Sequence, residues 1–365
     1  MVVAESSDER RVDQMAPART PKYRTGNADI DAAIDALVAL LPSGRSPDVL
    51  AELLAGCCGL VLDDSERGDL KLASAAIRDM RSAFFAFTPY RSIRKVTVFG
   101  SARTRENDAL YETAVSLSRS FAERDWMVVT GAGPGIMTAC VEGAGPEASL
   151  GVAISLPWEN EPTQLFGGDD PKLVFARQFF TRKLGLVKDS HAFVCMPGGF
   201  GTLDEMFEVL TLFTRGKGQI APIYLLEAHD TDYWRPLLQF FDESVASRGY
   251  IDRGEIAVLR HTTEIEAVVH GATAFYSNYD SMRYVGRDLL LRVRFPPSET
   301  LLEAIRTTFS DILRTDRVEV LHEHGRGGLL FGDLYGIRFE FDRHSFARLY
   351  ELVDRINEER SSSAE

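Results

Sequence analysis

A chain of 365 residues with a formal net charge of −13 is poorly suited to bind nucleic-acid backbones or anionic membranes broadly, although a local basic pocket remains compatible with it. Its 45% hydrophobic and 26% charged content is ordinary for a globular protein, with length enough for two domains or one large domain with additions. Four cysteines (Cys57, Cys58, Cys140, Cys195) without a C-x-x-C pair exclude a disulfide framework and a zinc pattern; the polar start, with no apolar signal region and no bilayer-length apolar run, predicts a cytoplasmic protein.

Residues 1–27, rich in charge, Pro, Ser and Thr, predict a disordered arm. Over 28–92 the apolar positions recur at helical spacing: Ile30, Ala33, Ile34 and Leu37, then Val49, Leu50, Leu53 and Leu54, then a third run from Leu70 to Phe85. From Arg94 the pattern becomes strand, helix, strand. Strands are expected at Lys95–Gly100, Trp126–Gly131, Gly151–Leu156, His191–Met196 and Pro222–Leu226, with helices at Asp108–Arg124, Gly135–Gly143, Gln178–Lys188, Thr202–Arg215 and Asp232–Ser247. Short apolar strands alternating with helices predict an α/β fold, a doubly wound parallel Rossmann-like sheet over 93–280. A small α+β domain over 281–365 is expected in the order βαββα.

Three strand ends are rich in glycine: Gly100-Ser101, Gly131-Ala132-Gly133-Pro134-Gly135, and Gly198-Gly199-Phe200-Gly201. In a parallel sheet all three open on one edge, where ligands bind. The third is the most informative, because an apolar strand runs into Pro197-Gly198-Gly199 and then a helix start with Thr202 and Glu205. Helix-start N–H groups and the helix dipole seat an anion, and Glu205 lies one turn on. Thr202-Leu203-Asp204-Glu205 also reads as a capping box, which would satisfy helix donors and do nothing more. Around the second turn the glycine spacing departs from G-x-G-x-x-G, and no acidic residue ends the next strand, so a mononucleotide fits better than a dinucleotide. Lys172–Ser190 carries five cations against one carboxylate, which reads either as an anion site or as a solvated helix face. The histidines show no metal-ligand spacing, and His322-Glu323-His324 reads as a loop.

These motifs resemble the Lonely Guy family, phosphoribohydrolases of cytokinin riboside 5′-monophosphates, together with the bacterial nucleotide 5′-monophosphate nucleosidases on the same fold. The resemblance covers roughly Lys95 to Phe275. It rests on Val98-Phe99-Gly100-Ser101, on Gly131 to Met137, and on Arg182-Lys183 followed by Pro197-Gly198-Gly199-Phe200-Gly201-Thr202-Leu203-Asp204-Glu205. It implies Arg182 and Glu205 as the catalytic pair. It implies Gly100, Ser101, Gly131, Gly133, Gly135, Met137, Lys183, Gly198, Gly199, Gly201 and Thr202 as phosphate- or nucleotide-binding residues.

The implied reaction is hydrolysis of an N-glycosidic bond to free base and ribose 5-phosphate, in cytokinin activation or nucleotide salvage, with no metal and no cofactor. The expected partners are the nucleotide substrate and further copies of the chain, with no nucleic acid and no membrane. Two alternatives stay open. One is a non-catalytic nucleotide or molybdenum-cofactor carrier on the same fold. The other is a regulatory sensor in the terminal domain, for which residues 285–365 hold no motif. The label "lysine decarboxylase-like", borne by many such sequences, needs a lysine Schiff base to pyridoxal phosphate, and Lys183 belongs instead to the paired Arg-Lys motif. The loop from Pro157 to Asp170 is this chain's own and is expected to contact the base.

Overall fold

The computed structural model describes residues 23–42, 46–155, 165–167, 170–322 and 333–361. The expected arm lies almost wholly outside the described residues, as do most of the Pro157–Asp170 loop and His324. Two compact units divide the chain, Met1–Ser74 and Ala75–Glu365. In the smaller, α1 (Ala28–Leu40) is capped by Asn27, whose side chain accepts from the N–H groups of Asp29 and Ile30. Helix α2 (Pro47–Leu62) opens with proline, whose missing N–H costs nothing at a helix start. Ile34, Ala51 and Ala55 form a small core there.

Helix α3 (Arg67–Phe87) buries Ala75, Ala76, Asp79, Ala83, Ala86 and Phe87 at spacings of three and four, the stripe expected of a packed helix. The larger unit then runs β1 (Lys95–Phe99), α4 (Ala109–Ala122), β2 (Met127–Thr130), α5 (Ile136–Ala144), β3 (Ser149–Ile154), β4 (Leu173–Ala176), α6 (Phe179–Val187), β5 (Ala192–Cys195), α7 (Phe200–Thr214), β6 (Ile223–Leu226), α8 (Trp234–Phe240), α9 (Arg253–Ala257), β7 (Leu259–Thr262) and α10 (Ile265–Ala274). All seven strands are parallel in the order β4-β3-β2-β1-β5-β6-β7, the doubly wound arrangement. Every residue of β1, β2, β5 and β6 is buried, as strands covered on both faces must be.

The edge strands β4 and β7 are additions to the expected set. The periodicity was weak there, because β4 has four residues and the polar Arg260 and His261 sit in the middle of β7. The helix expected over Asp232–Ser247 is α8 followed by a π turn at Phe241–Val245 and a 3-10 turn. It stops at Gly249, whose φ of 71° is the left-handed conformation glycine tolerates.

The terminal region adds β8 (Tyr279–Val285), β9 (Asp288–Val293), α11 (Glu299–Thr307), β10 (Leu313–Leu321), β11 (Tyr335–Phe341) and α12 (Phe346–Ser361). Its antiparallel sheet has the order β10-β11-β9-β8, so the unit is ββαββα, one strand more than expected. β8 mixes Asp280, Ser281 and Arg283 into its run, which hides its periodicity. One continuous core runs from Phe193 and Ile220 through Tyr276 to Leu291, Phe339 and Val353. Asn357 of α12 helps lock the junction: its amide donates to the Phe275 carbonyl (2.7 Å) and accepts from the N–H groups of Asn278 (3.0 Å) and Tyr279 (2.9 Å).

Candidate active site

The chain leaves β1 for β2 on one side and, after β4, returns to β5 on the other. The C-terminal ends of β1 and β5 therefore flank the switch point of the sheet, where this fold opens a crevice. A cleft of about 690 Å³ stands there. All three glycine-rich turns reach it, through Gly100 and Ser101, Gly131, and Gly198 to Gly201. Ser101 N–H donates to the Pro197 carbonyl at 3.2 Å and so ties the first turn to the third.

Arg182 from α6 and Glu205 from α7 meet inside this cleft. Arg182 Nη1 lies 2.8 Å from Glu205 Oε1, and each side chain is only 12% exposed. Arg182 Nε also donates to the Val152 carbonyl at the end of β3 (3.0 Å), which leaves its guanidinium little freedom. Gly131 makes that placement possible, since a Cβ there would overlap Arg182 Nη2. Burial raises the pKa of Glu205 above the ordinary carboxylate value, and the charge and hydrogen bond of Arg182 oppose the rise.

Helix α6 has no capping side chain of its own. Asp79 of α3 supplies one: its Oδ2 accepts from the N–H groups of Arg177 (2.8 Å) and Gln178 (3.2 Å) and from Thr181 Oγ1 (2.8 Å). A buried carboxylate thus anchors the start of the helix that carries Arg182.

The capping box does not form. Helix α7 begins at Phe200, two residues before Thr202, and its N-cap Gly199 offers no side-chain bond. Intrahelical bonding starts with Leu203 N–H to the Gly199 carbonyl, leaving the N–H groups of Phe200 to Thr202 as first-turn donors. A Cβ at Gly199 or Gly201 would meet no atom within 4 Å, so protein packing does not require glycine at either position. The turn is braced from behind by Tyr233, whose hydroxyl donates to the Gly198 carbonyl at 2.6 Å. Buried Glu227 holds Tyr233 in turn, accepting from its N–H (2.6 Å) and pairing with His261 Nε2 (2.6 Å).

Of the expected site residues, the cleft gathers Arg182, Glu205, Gly100, Ser101, Gly131, Met137, Gly198, Gly199, Gly201 and Thr202. Gly133, Gly135 and Lys183 are not among its lining residues. Gly133 packs against Met137. Gly135 has a φ of 67° and a position where a Cβ would overlap the Ser101 carbonyl, so both shape the turn from behind. The Lys183 ammonium is held instead by Glu208 (2.6 Å) and Asp204 (3.2 Å). The other cations of the basic stretch include further ion-paired ones, since buried Lys172 pairs with Asp170 (3.2 Å) and exposed Lys188 with Asp189 (2.9 Å). Sequence reasoning missed Asp79, Tyr233, Glu227 and the cleft-lining Arg103 and Phe200. Only the last two adjoin a legible motif.

No lysine lines the cleft among the described residues, so its side chains do not fit a pyridoxal Schiff base. Nor does any group of three or more His, Cys, Asp or Glu among the described residues stand ready for a metal ion. Cys140 and Cys195 are buried core residues, and burial raises both thiols, Cys140 to about 12. No helix among the described residues is long and apolar enough to cross a membrane.

The family described as "Possible lysine decarboxylase" matches residues 135–271. A curated relative from Oryza sativa subsp. japonica, named "Probable cytokinin riboside 5'-monophosphate phosphoribohydrolase LOGL1", is 26% identical over 50% of this chain and 77% of its own length. The Arabidopsis thaliana cytokinin riboside 5'-monophosphate phosphoribohydrolase LOG3 is 28% identical over 43% of this chain and 72% of its own. A solved structure of the molybdenum cofactor carrier protein from Chlamydomonas reinhardtii, 18% identical, covers 50% of this chain and 96% of that one with a TM-score of 0.33. The matched residues 135–271 hold both Arg182 and Glu205, and over this region the chain is similar to these curated relatives of the Lonely Guy family.

Proposed function

We propose that this protein hydrolyses the N-glycosidic bond of nucleoside 5′-monophosphates, AMP-like and including N6-prenylated ones, to free base and ribose 5-phosphate. The observation that carries this reading is the Arg182–Glu205 pair at 2.8 Å inside a cleft whose floor is a helix start. The 5′-phosphate sits on the first-turn N–H groups of α7 and the Thr202 hydroxyl. Gly199 and Gly201 leave room for it, and Arg103, which borders the cleft, adds a cation. That seat fixes the ribose beside Glu205.

Cleavage breaks the C1′–N bond and passes through an oxocarbenium-like ribosyl cation, which a nearby carboxylate stabilises. Glu205 also orients the water that adds to C1′ and takes its proton, while the departing base gains one. Arg182 holds the Glu205 carboxylate in place and, by its charge, favours the ionised form. A carrier would gain nothing from a carboxylate beside a phosphate, since the repulsion weakens binding.

The test is release of ribose 5-phosphate from purine and pyrimidine 5′-monophosphates and isopentenyl-AMP by the wild type and Glu205→Gln. A fall of about 10²- to 10⁴-fold in kcat is expected for the variant. The preferred base would distinguish salvage from cytokinin activation. Tight nucleotide binding with no turnover by the wild type would put the carrier reading first.

A further inference from the structure

A second cavity, of about 210 Å³, lies at the opposite end of the parallel sheet, where β1 and β5 begin, and is lined also by Tyr279 to Met282 of β8 and Arg292 of β9. Five cations border it, Arg91, Arg94, Lys95, Lys188 and Arg292, against two carboxylates, Asp189 and Asp280. Both carboxylates are already engaged. Asp280 accepts from Arg94 (2.9 Å) and Arg294 (3.4 Å), and Asp189 pairs with Lys188 (2.9 Å).

Two of the cations are deeply buried, Lys95 fully and Arg292 with 6% exposed. Lys95 Nζ donates to the carbonyls of Tyr90 (2.5 Å) and Ile93 (2.8 Å). Among the described residues it makes no ion pair, and neither does Arg91. Desolvation pulls Lys95 down to about 8. Arg292 Nη1 donates to Ser281 Oγ (3.3 Å). Neutral donors stand beside these charges: Gln219 accepts through Oε1 from Met282 N–H (3.0 Å), which directs its amide N–H groups elsewhere. Tyr279, which also borders the cavity, has a buried hydroxyl without a hydrogen-bond partner among the described residues.

A seam that only joined the two sheets would balance its charges, because burying an uncompensated cation is unfavourable. This one keeps a surplus of positive charge in a protein of net charge −13. We propose that the cavity between the two sheets is a second ligand site, which binds a small soluble phosphate-bearing anion no larger than a pyrophosphate group. Arginine forks and lysine point charges are the side chains suited to phosphate oxygens. A ligand held there bridges the parallel sheet and the terminal unit at the end of the sheet remote from the cleft.

The probe is inorganic pyrophosphate, titrated calorimetrically at constant ionic strength into the wild type, the double variant Arg91→Gln/Lys188→Gln and the cleft variant Thr202→Val. Arg91 and Lys188 are surface cations, so the double variant should fold, which its melting curve would verify. Pyrophosphate binding that survives in Thr202→Val and weakens at least tenfold in the double variant is the expected result. Nucleotide turnover by the double variant should equal that of the wild type, so this site and the hydrolase reading fail separately. Binding abolished by Thr202→Val, unaffected by the double variant, or matched by sulfate would overturn the proposal.

Discussion

Glu205 is held by two opposing effects, desolvation that favours its neutral form and Arg182 that favours its charge. Desolvation is the larger, so the carboxylate gains its proton above the ordinary value of about 4.3. Activity that needs the carboxylate should therefore fall with decreasing pH along a limb that begins above that value. A kcat/KM profile with no such limb, or one at the ordinary position, would contradict the role given to Glu205. The linkage has a definite sign. The native state takes up this proton at a higher pH than the unfolded chain, so the group's contribution to stability is present at low pH and is lost as pH rises through the native pKa. Gly131 makes a sharper case. The methyl group of Gly131→Ala would occupy the space of Arg182 Nη2 and displace the guanidinium from both Val152 and Glu205. Turnover should drop by about 10²-fold, as displacements near 1 Å do in active sites. Unchanged kinetics for this variant would mean that Arg182 is not needed where it lies.

At the scale of elements, the site depends on a helix that does not belong to the Rossmann-like repeat. Asp79 of α3 receives three hydrogen bonds from the start of α6, three residues before Arg182. Asp79→Ala leaves those donors buried without an acceptor and should cost about 1–3 kcal/mol. It should also lower kcat more than it raises KM, since α6 carries Arg182 while α7 carries the phosphate seat. Thermal melting and steady-state kinetics on the same preparation check both. A stability loss with kcat intact would show that the cap is structural only. The expectations for α6 and α7 came from apolar spacing and a glycine turn. Neither pattern holds any trace of Asp79, because its partners are 98 and more residues away.

For the whole molecule, the exposed aromatic residues matter most. Phe179 (57% exposed) and Phe180 (53%) begin α6, the helix that carries Arg182, and Phe200 (94%) begins α7 and lines the cleft. Apolar surface of this kind beside a site marks association, and a second copy of the chain is the partner that the family resemblance implies. Phe179→Asp/Phe180→Asp should then lower the mass measured by light scattering at micromolar concentration. A wild type already monomeric under those conditions would remove that expectation.

The local sequence determined the central α/β pattern, the three glycine turns and the pairing of a basic helix with an acid one turn into the next. Buried parallel strands are continuous apolar runs, and a backbone that must approach another group closely is written as glycine. Edge strands β7 and β8 were not legible, since an edge tolerates polar residues that break the periodicity, and β4 is only four residues long. Tertiary structure alone decided which cations reach the cleft: Arg182 does, and Lys183, one residue on, points to Glu208 instead. It also set the Arg182–Glu205 ion pair in place of the capping box, recruited Asp79, Glu227 and Tyr233 from distant segments, and gathered the cations of the second cavity. Those choices depend on which faces of packed helices and strands meet, and a single chain's local pattern does not contain that information.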